Sequence, residues 1–102
     1  MGIDDGAFKN VSSIKGIELP STIKNIGGYA FYGSSIREIV IPSSVGFNVG
    51  DNAFKGCRLL VAADINSNHI SKGMFQDCES LTKTTISDTT NELKIKSCVY
   101  TS

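Results

Sequence analysis

The chain lacks an excess of charge of either sign. Its 102 residues include ten lysines and arginines and ten aspartates and glutamates, so the net charge is zero. Proteins that bind nucleic acid or an anionic membrane surface carry a basic excess, and the composition therefore argues against both partners. An apolar content of 40% and a charged content of 20% are ordinary for a folded globular chain. The length suits one domain.

Long apolar segments are also missing. No run of the sequence approaches the roughly 18–20 apolar residues of a membrane-spanning helix, so we expect no membrane insertion. The first residues, 1–5, lack the basic and apolar regions of a signal peptide. Two locations stay open: cytoplasmic if Met1 is the native start, and secreted or at the cell surface if the chain is a piece of a longer protein.

Residues that support metal or nucleophilic chemistry are scarce. The three cysteines, Cys57, Cys78 and Cys98, are odd in number and contain no C-x-x-C element, which excludes a complete disulfide framework and a typical four-ligand zinc site. The one histidine, His69, has no acidic neighbour nearer than Asp64. We therefore expect no enzyme activity, no cofactor and no metal. The cysteines are interpreted as small buried thiols, with a disulfide or a reactive thiol as the alternatives.

What the sequence does contain is an internal repeat. Four segments fit one template, in which an aliphatic residue and three variable residues precede a small residue or Met and then Phe. The phenylalanines lie 23, 23 and 21 residues apart and occupy one repeat position: Phe8, Phe31, Phe54 and Phe75. The predicted repeats, numbered 1 to 4 below, cover about residues 3–25, 26–48, 49–69 and 70–86. A unit of this size cannot bury its own apolar face, so the units must stack on one another.

An alternating apolar pair follows each Phe and predicts a strand with one face inward. The pairs are Ile17/Leu19, Ile39/Ile41, Ala63/Ile65 and Thr84/Ile86. Equivalent strands of stacked repeats run in the same direction and form a parallel sheet, and Pro20 and Pro42 end the first two strands. The Gly-, Asn- and Asp-containing stretch before each Phe predicts a short helical or 3-10 turn. The predicted fold is an α/β repeat solenoid with a parallel sheet on one face, helical turns on the other, and the four Phe as a core ladder.

Two segments resemble a known family most clearly. Residues 49–60 read Val-Gly-Asp-Asn-Ala-Phe-Lys-Gly-Cys-Arg-Leu-Leu, and residues 39–45 read Ile-Val-Ile-Pro-Ser-Ser-Val. They are similar to the BspA-like (Treponema-type) leucine-rich repeat, and the resemblance covers about residues 3–86, with Met74 departing from the usual alanine. The resemblance implies a leucine-rich-repeat fold. Members of the family occur in surface proteins of bacteria and parasitic protists, which implies a role in adhesion and protein binding.

The outward residues of the predicted strands form the candidate binding surface. We expect an acidic row over three repeats, made by Glu18, Glu38 and Asp64, with Lys15 and Arg37 beside it. Two interpretations stay open: a solvated strand face with compensating charges, and a recognition patch for a protein partner. The predicted binding residues are Lys15, Glu18, Arg37, Glu38, Val40, Asp64, Lys83 and Thr85.

The two ends of the repeat array differ. No capping segment is recognised before the first repeat. Three explanations stay open: the chain is excised from a longer array, it self-associates through this end, or it is stable without a cap. Residues 87–102 contain the alternating run 92–100, which predicts a capping strand with inward Leu93, Ile95 and Val99. Lysines on the outer side of such a strand discourage edge-to-edge pairing. A separate binding segment is the alternative for this part of the chain.

The leading functional hypothesis is a non-enzymatic protein-binding module of a surface adhesin, which binds through the sheet face. The alternative is a free-standing intracellular interaction protein, such as a small inhibitor or an adaptor. Four strands at a spacing of about 4.8 Å give a sheet only about 19 Å wide. Such a footprint suits a weak contact more than a standard interface of roughly 800 Å² per partner.

Overall fold

The structure of the chain is a computed structural model that describes residues 2–13, 16–67 and 70–86. Within these ranges the chain forms five short strands and one 3-10 helix. They are β1 (Gly2–Ile3), β2 (Asn25–Ile26), β3 (Glu38–Ile41), the 3-10 helix Ser43–Val45, β4 (Ala62–Ile65) and β5 (Lys83–Ile86).

The main sheet consists of β3, β4 and β5 in that order, all parallel. Side chains alternate along β3, where Ile39 and Ile41 are buried while Glu38 and Val40 are exposed. Strand β4 alternates in the same sense. The parallel sheet that the alternating pairs predicted is therefore confirmed in repeats 2 to 4, and its apolar face supports the core.

Repeats 1 and 4 depart from the predicted strand pattern. The pair Ile17/Leu19 lies in no strand, and among the described residues 16–19 the pairing is limited to an isolated parallel bridge between Gly16 and Glu38. Glycine weakens a strand, and a proline follows Leu19 directly, which removes the next amide donor. In β5, the inward position of Thr84 is exposed, because a described strand covers β5 on one edge only.

A second, smaller sheet was not predicted. Strand β1 pairs with β2 in parallel, and a bridge from Ile26 to Val49 continues the pairing into repeat 3. The amide of Gly50 donates to the carbonyl of Ile26 at 2.7 Å, and the amide of Gly27 donates to that of Ile3 at 2.8 Å. The aliphatic residue that opens the repeat template is therefore paired in parallel in repeats 1 to 3, at Ile3, Ile26 and Val49.

The segments around each Phe are turns, and the helical turns predicted there are wrong. Along these turn segments, the backbone amides donate alternately to the next repeat and to the same turn. The amide of Phe8 donates to the carbonyl of Ala30 in the next repeat at 2.7 Å, whereas that of Lys9 donates back to Gly6 at 3.1 Å. A helix would need all of these amides for its own bonds. The 3-10 helix lies elsewhere, directly after Pro42.

Left-handed backbone conformations explain why these turns do not continue as helices. Each turn segment contains two residues with positive φ, between 55° and 73°, spaced four residues apart. The pairs are Gly6 and Asn10, Tyr29 and Gly33, Asn52 and Gly56, and Gly73 and Asp77. Glycine, Asn and Asp tolerate this region, whereas Tyr29 is an unusual occupant.

The four phenylalanine rings lie one above another through the core. Successive ring centroids are 5.2, 5.0 and 5.4 Å apart, and the ring planes are within 11° of parallel. Phe31, Phe54 and Phe75 are fully buried. The small side chains of Ala30 and Ala53 beside them allow the backbones of neighbouring repeats to approach closely.

Three glycine-to-alanine substitutions separate close backbone approach from backbone conformation. A Cβ added at Gly50 would lie 2.2 Å from the amide nitrogen of Gly28. A Cβ added at Gly6 or at Gly16 would have no atom within 4 Å, but the backbone of Gly6 has a φ of 66°. We expect Gly50→Ala to lose several kcal/mol of unfolding free energy, Gly6→Ala about 1 kcal/mol, and Gly16→Ala less than about 0.5 kcal/mol. Urea denaturation measures all three, and an equal loss at Gly50 and Gly16 would contradict the packing described.

Candidate functional site

The outward side chains of the main sheet form two rows that cross its strands. The first row consists of Gly16, Glu38, Ala62 and Lys83. The second row consists of Val40, Asp64 and Thr85. The parallel register fixes both rows, because residues two apart on a strand share one face of the sheet.

The three carboxylates do not lie in one row, and the expectation of a single acidic row is wrong. Glu38 is the first outward residue of β3, whereas Asp64 is the second outward residue of β4 and lies opposite Val40. Glu18 comes two residues after the bridge residue Gly16 and so continues the second row. The negative charge is therefore spread over both rows of the face.

Two shallow depressions lie side by side on this face. The first has a volume of about 380 Å³ and lies between Glu18 and Val40, and the second has a volume of about 280 Å³ and extends from Glu38 to Thr85. Six of the eight predicted binding residues line the two depressions. They are Glu18, Glu38, Val40, Asp64, Lys83 and Thr85.

A third row lies at the beginning of the strands and contains Arg37, Val61 and Thr82. The amide of Val61 donates to the carbonyl of Arg37 at 2.8 Å, and the amide of Thr82 donates to the carbonyl of Val61 at 3.0 Å. All three side chains are exposed. Arg37 thus borders the candidate site without lining either depression.

The sheet face combines exposed apolar and charged side chains. Val40 is 53% exposed and Val61 is 40% exposed. Val40 has two acidic neighbours on this face, Glu38 two residues earlier on the same strand and Asp64 opposite it on β4. Such a surface is complementary to a partner whose apolar side chain packs on the valines and whose adjacent basic side chain lies near the carboxylates. The arrangement suits contact with another protein.

Other candidate chemistry falls partly outside the described residues. Lys15, His69 and Cys98 lie there, as does the capping strand predicted within 87–102. Among the residues that the structure describes, no group of three His, Cys, Asp or Glu side chains could hold a metal ion. The same part of the chain contains no helix with the length and apolar character to cross a membrane.

Two cysteines occupy one buried column of the core. Both are free thiols and fully buried. The thiol of Cys57 donates to the carbonyl of Phe31, and that of Cys78 donates to the carbonyl of Phe54, each at 3.0 Å. The hydroxyl of Ser34, in the same column of repeat 2, lies 3.5 Å from the sulfur of Cys57. These thiols stabilise the contact between repeats, and burial keeps them from solvent.

The protonation of Cys78 is fixed by its surroundings. Its contact with Cys57 and its burial raise the pKa of the Cys78 thiol far above the ordinary value of 9.0, and the same contact lowers the pKa of the Cys57 thiol. In the unfolded chain the same thiol ionises at its ordinary value, so the folded state retains a proton that the unfolded state loses. The resulting stability is fully present below about pH 9 and is lost progressively above it.

We expect this linkage to be visible in a comparison with the double variant Cys57→Ala/Cys78→Ala, because Cys78→Ala alone would also change the pKa of Cys57. The difference in unfolding free energy between wild type and variant should not decrease between about pH 6 and pH 8. Above about pH 9 it should narrow by up to about 1.4 kcal/mol per pH unit. Denaturant unfolding across this pH range measures the difference, and Arg37→Ala, which removes an exposed side chain, is the control. A difference that stays constant to pH 10.5 would contradict the raised pKa.

Comparison with known proteins identifies the repeat. The family model of the BspA-type leucine-rich repeat region matches residues 2–102 with six copies, two more than the four repeats recognised in the sequence, and its match includes residues 87–102. Searches of curated proteins and of solved structures find no match. Leucine-rich repeats generally mediate protein interactions and are typically non-enzymatic. Since the match covers nearly the whole chain, this protein belongs to the BspA-type leucine-rich repeat family.

Proposed function

We propose that this protein is a non-enzymatic, protein-binding module of a surface, adhesin-type protein, and that its repeats wind into a solenoid. The family supports a protein-interaction role. The parallel pairing of equivalent segments and the column of phenylalanine rings support the solenoid. Repeat proteins of this kind stabilise an extended surface through contacts between neighbouring units.

The observation that carries the proposed binding face is the composition of the main sheet's outer side. Val40 stands exposed between two shallow depressions, and Glu38 lines both of them. This pattern favours a partner segment with an apolar side chain that enters beside Val40 and a basic side chain that meets Glu38 or Asp64. Because the face is narrow, we expect a weak contact that is strengthened by further repeats or by several copies.

Charge reversal on the sheet face tests this proposal. A photoreactive benzoylphenylalanine at position 40 of the protein in its native cell captures the partner for identification, and the same group at Lys24, an exposed residue away from the main sheet, is the control. Glu38→Lys and Asp64→Lys should each weaken binding of the captured protein by at least about tenfold. Their unfolding free energy should change by less than about 0.5 kcal/mol because both side chains project outward.

Two results would contradict the binding face. One is equal capture of the same proteins from positions 40 and 24. The other is binding that is unchanged by both charge reversals while the variants unfold like wild type.

The exposed side of repeat 1 suits a further repeat, and we propose that a second copy of the chain supplies it. Ala7 is exposed, whereas the equivalent Ala30 and Ala53 are fully buried, and Phe8 is only half-buried. Exposed apolar surface of this kind favours association.

Sedimentation equilibrium tests this association. We expect the apparent mass to rise with protein concentration, and we expect Ala7→Glu to abolish the rise because it places a charge in the contact. Ser12→Glu, at another exposed turn position, is the matched control. A monomer at every concentration, or association that is insensitive to Ala7→Glu, would rule out this contact.

A further inference from the structure

A third depression lies on the turn side of the molecule and involves none of the residues of the sheet face. Its volume is about 490 Å³, within the range of roughly 300–1,000 Å³ that small-ligand sites occupy. We refer to it as the glycine groove. Six of its lining residues carry the argument: Asn10, Tyr32, Gly33, Gly56, Arg58 and Leu59.

Two glycines form the floor of the glycine groove, and the side-chain oxygen of Asn10 lies over one of them, Gly33, where a Cβ would stand. Gly33 and Gly56 are equivalent residues of repeats 2 and 3, and both have positive φ, 66° and 73°. Their amides donate to the carbonyls of Lys55 at 3.0 Å and Gln76 at 2.8 Å, which fixes the floor in place. The equivalent positions of repeats 1 and 4 carry side chains, Asn10 and Asp77. The groove thus exists because two successive repeats have glycine where their neighbours do not.

The walls of the groove are aromatic on one side and cationic on the other. Tyr32 precedes the floor along the chain, and Arg58 and Leu59 follow it. The guanidinium of Arg58 pairs with the carboxylate of Glu79 at 3.1 Å, but both side chains are about two-thirds exposed. An exposed pair of this kind contributes little stability, so an anionic ligand can replace Glu79 on Arg58.

The surroundings of Tyr32 add positive charge and a strained residue. The Nζ atom of Lys9 lies 5.6 Å from the centroid of the Tyr32 ring and 6.0 Å from that of Tyr29. The centroids of the two tyrosine rings are 5.5 Å apart. Tyr29 holds φ 55° at a position where the other repeats have Gly or Asn. A bulky residue in this conformation is strained, so the aromatic pair persists at a cost to the local backbone.

We propose that the glycine groove binds an anionic sugar unit, namely a carboxylated or sulfated residue of an oligosaccharide. Arg58 offers the planar donor fork that matches a carboxylate or sulfate. Tyr32 offers an aromatic surface against which the C–H face of a sugar ring packs, and Asn10 offers an amide to its hydroxyls. Gly56, whose Cα carries no side chain, lets the ring approach the backbone. Leu59 is the only aliphatic side chain among the lining residues, which disfavours an apolar peptide side chain in the groove.

Isothermal titration calorimetry with four probes tests the ligand class. The probes are trigalacturonic acid, a heparin-derived tetrasaccharide, neutral maltotriose and an acidic glutamate tetrapeptide. We expect one or both anionic sugars to bind at least about tenfold more tightly than maltotriose and the peptide. The first two probes distinguish a carboxylated from a sulfated ligand. Failure of both anionic sugars to bind, equal binding of maltotriose, or equal binding of the peptide would overturn the proposal.

Three variants locate the site. Gly56→Asn places a side chain on the floor, where its Cβ would come no closer than 3.7 Å to another atom and where Asn10 shows that asparagine tolerates the backbone conformation. Arg58→Gln removes the cation, and Arg37→Gln is the matched control on the sheet side. We expect the first two variants to weaken the binding of the anionic sugar at least about tenfold and the control to change it less than about twofold. Equal effects of the two arginine variants would show diffuse attraction and overturn the site, and thermal unfolding verifies that each variant is folded.

Discussion

The fold depends on main-chain hydrogen bonds between equivalent turn segments of neighbouring repeats, in which each Phe donates to the residue before the next Phe of the column. Phe8 donates to Ala30, Phe31 to Ala53 and Phe54 to Met74, at 2.7 to 2.9 Å. These bonds hold successive backbones at a distance close to the strand spacing of about 4.8 Å. At that distance the phenylalanine rings must stack flat, the residue beside each ring must be compact, and a glycine such as Gly50 has no room for a Cβ. The residue types at several separate positions of the repeat are thus constrained by one distance, the spacing between neighbouring repeats.

Much of this arrangement could be predicted from the sequence, because its signals recur. The alternating pair Ile39/Ile41 returns as Ala63/Ile65, and both form parallel strands. The turn segments were misjudged because their left-handed positions are held by chemically unlike residues. Gly6, Tyr29 and Asn52 occupy the same repeat position and share the left-handed conformation, but because they are three different residue types the sequence does not reveal that conformation. A stretch with Gly, Asn and Asp therefore reads equally well as a helical turn.

The site residues show the same division between recurring and singular features. Which side chains project from the main sheet followed from the period of two, whereas the distribution of carboxylates over two rows required the register of Glu38 with Ala62. The glycine groove could not be found by comparing repeats for what they share. It arises from Gly33 and Gly56, where two repeats differ from the others, and from Tyr32, which stands at a position held by Lys or Gln in the other repeats.

The direction of the bonds in the turn segments gives the stack a polarity. In the described turns, the amides of Gly6, Phe8 and Asn10 all donate toward repeat 2, so the outer side of repeat 1 presents acceptors in the corresponding column. Two copies that met through like ends would set carbonyl against carbonyl there. Those acceptors are matched only by a surface that presents backbone donors. Whatever covers repeat 1 must therefore bring a row of amides, which a second copy of the same row of carbonyls cannot supply.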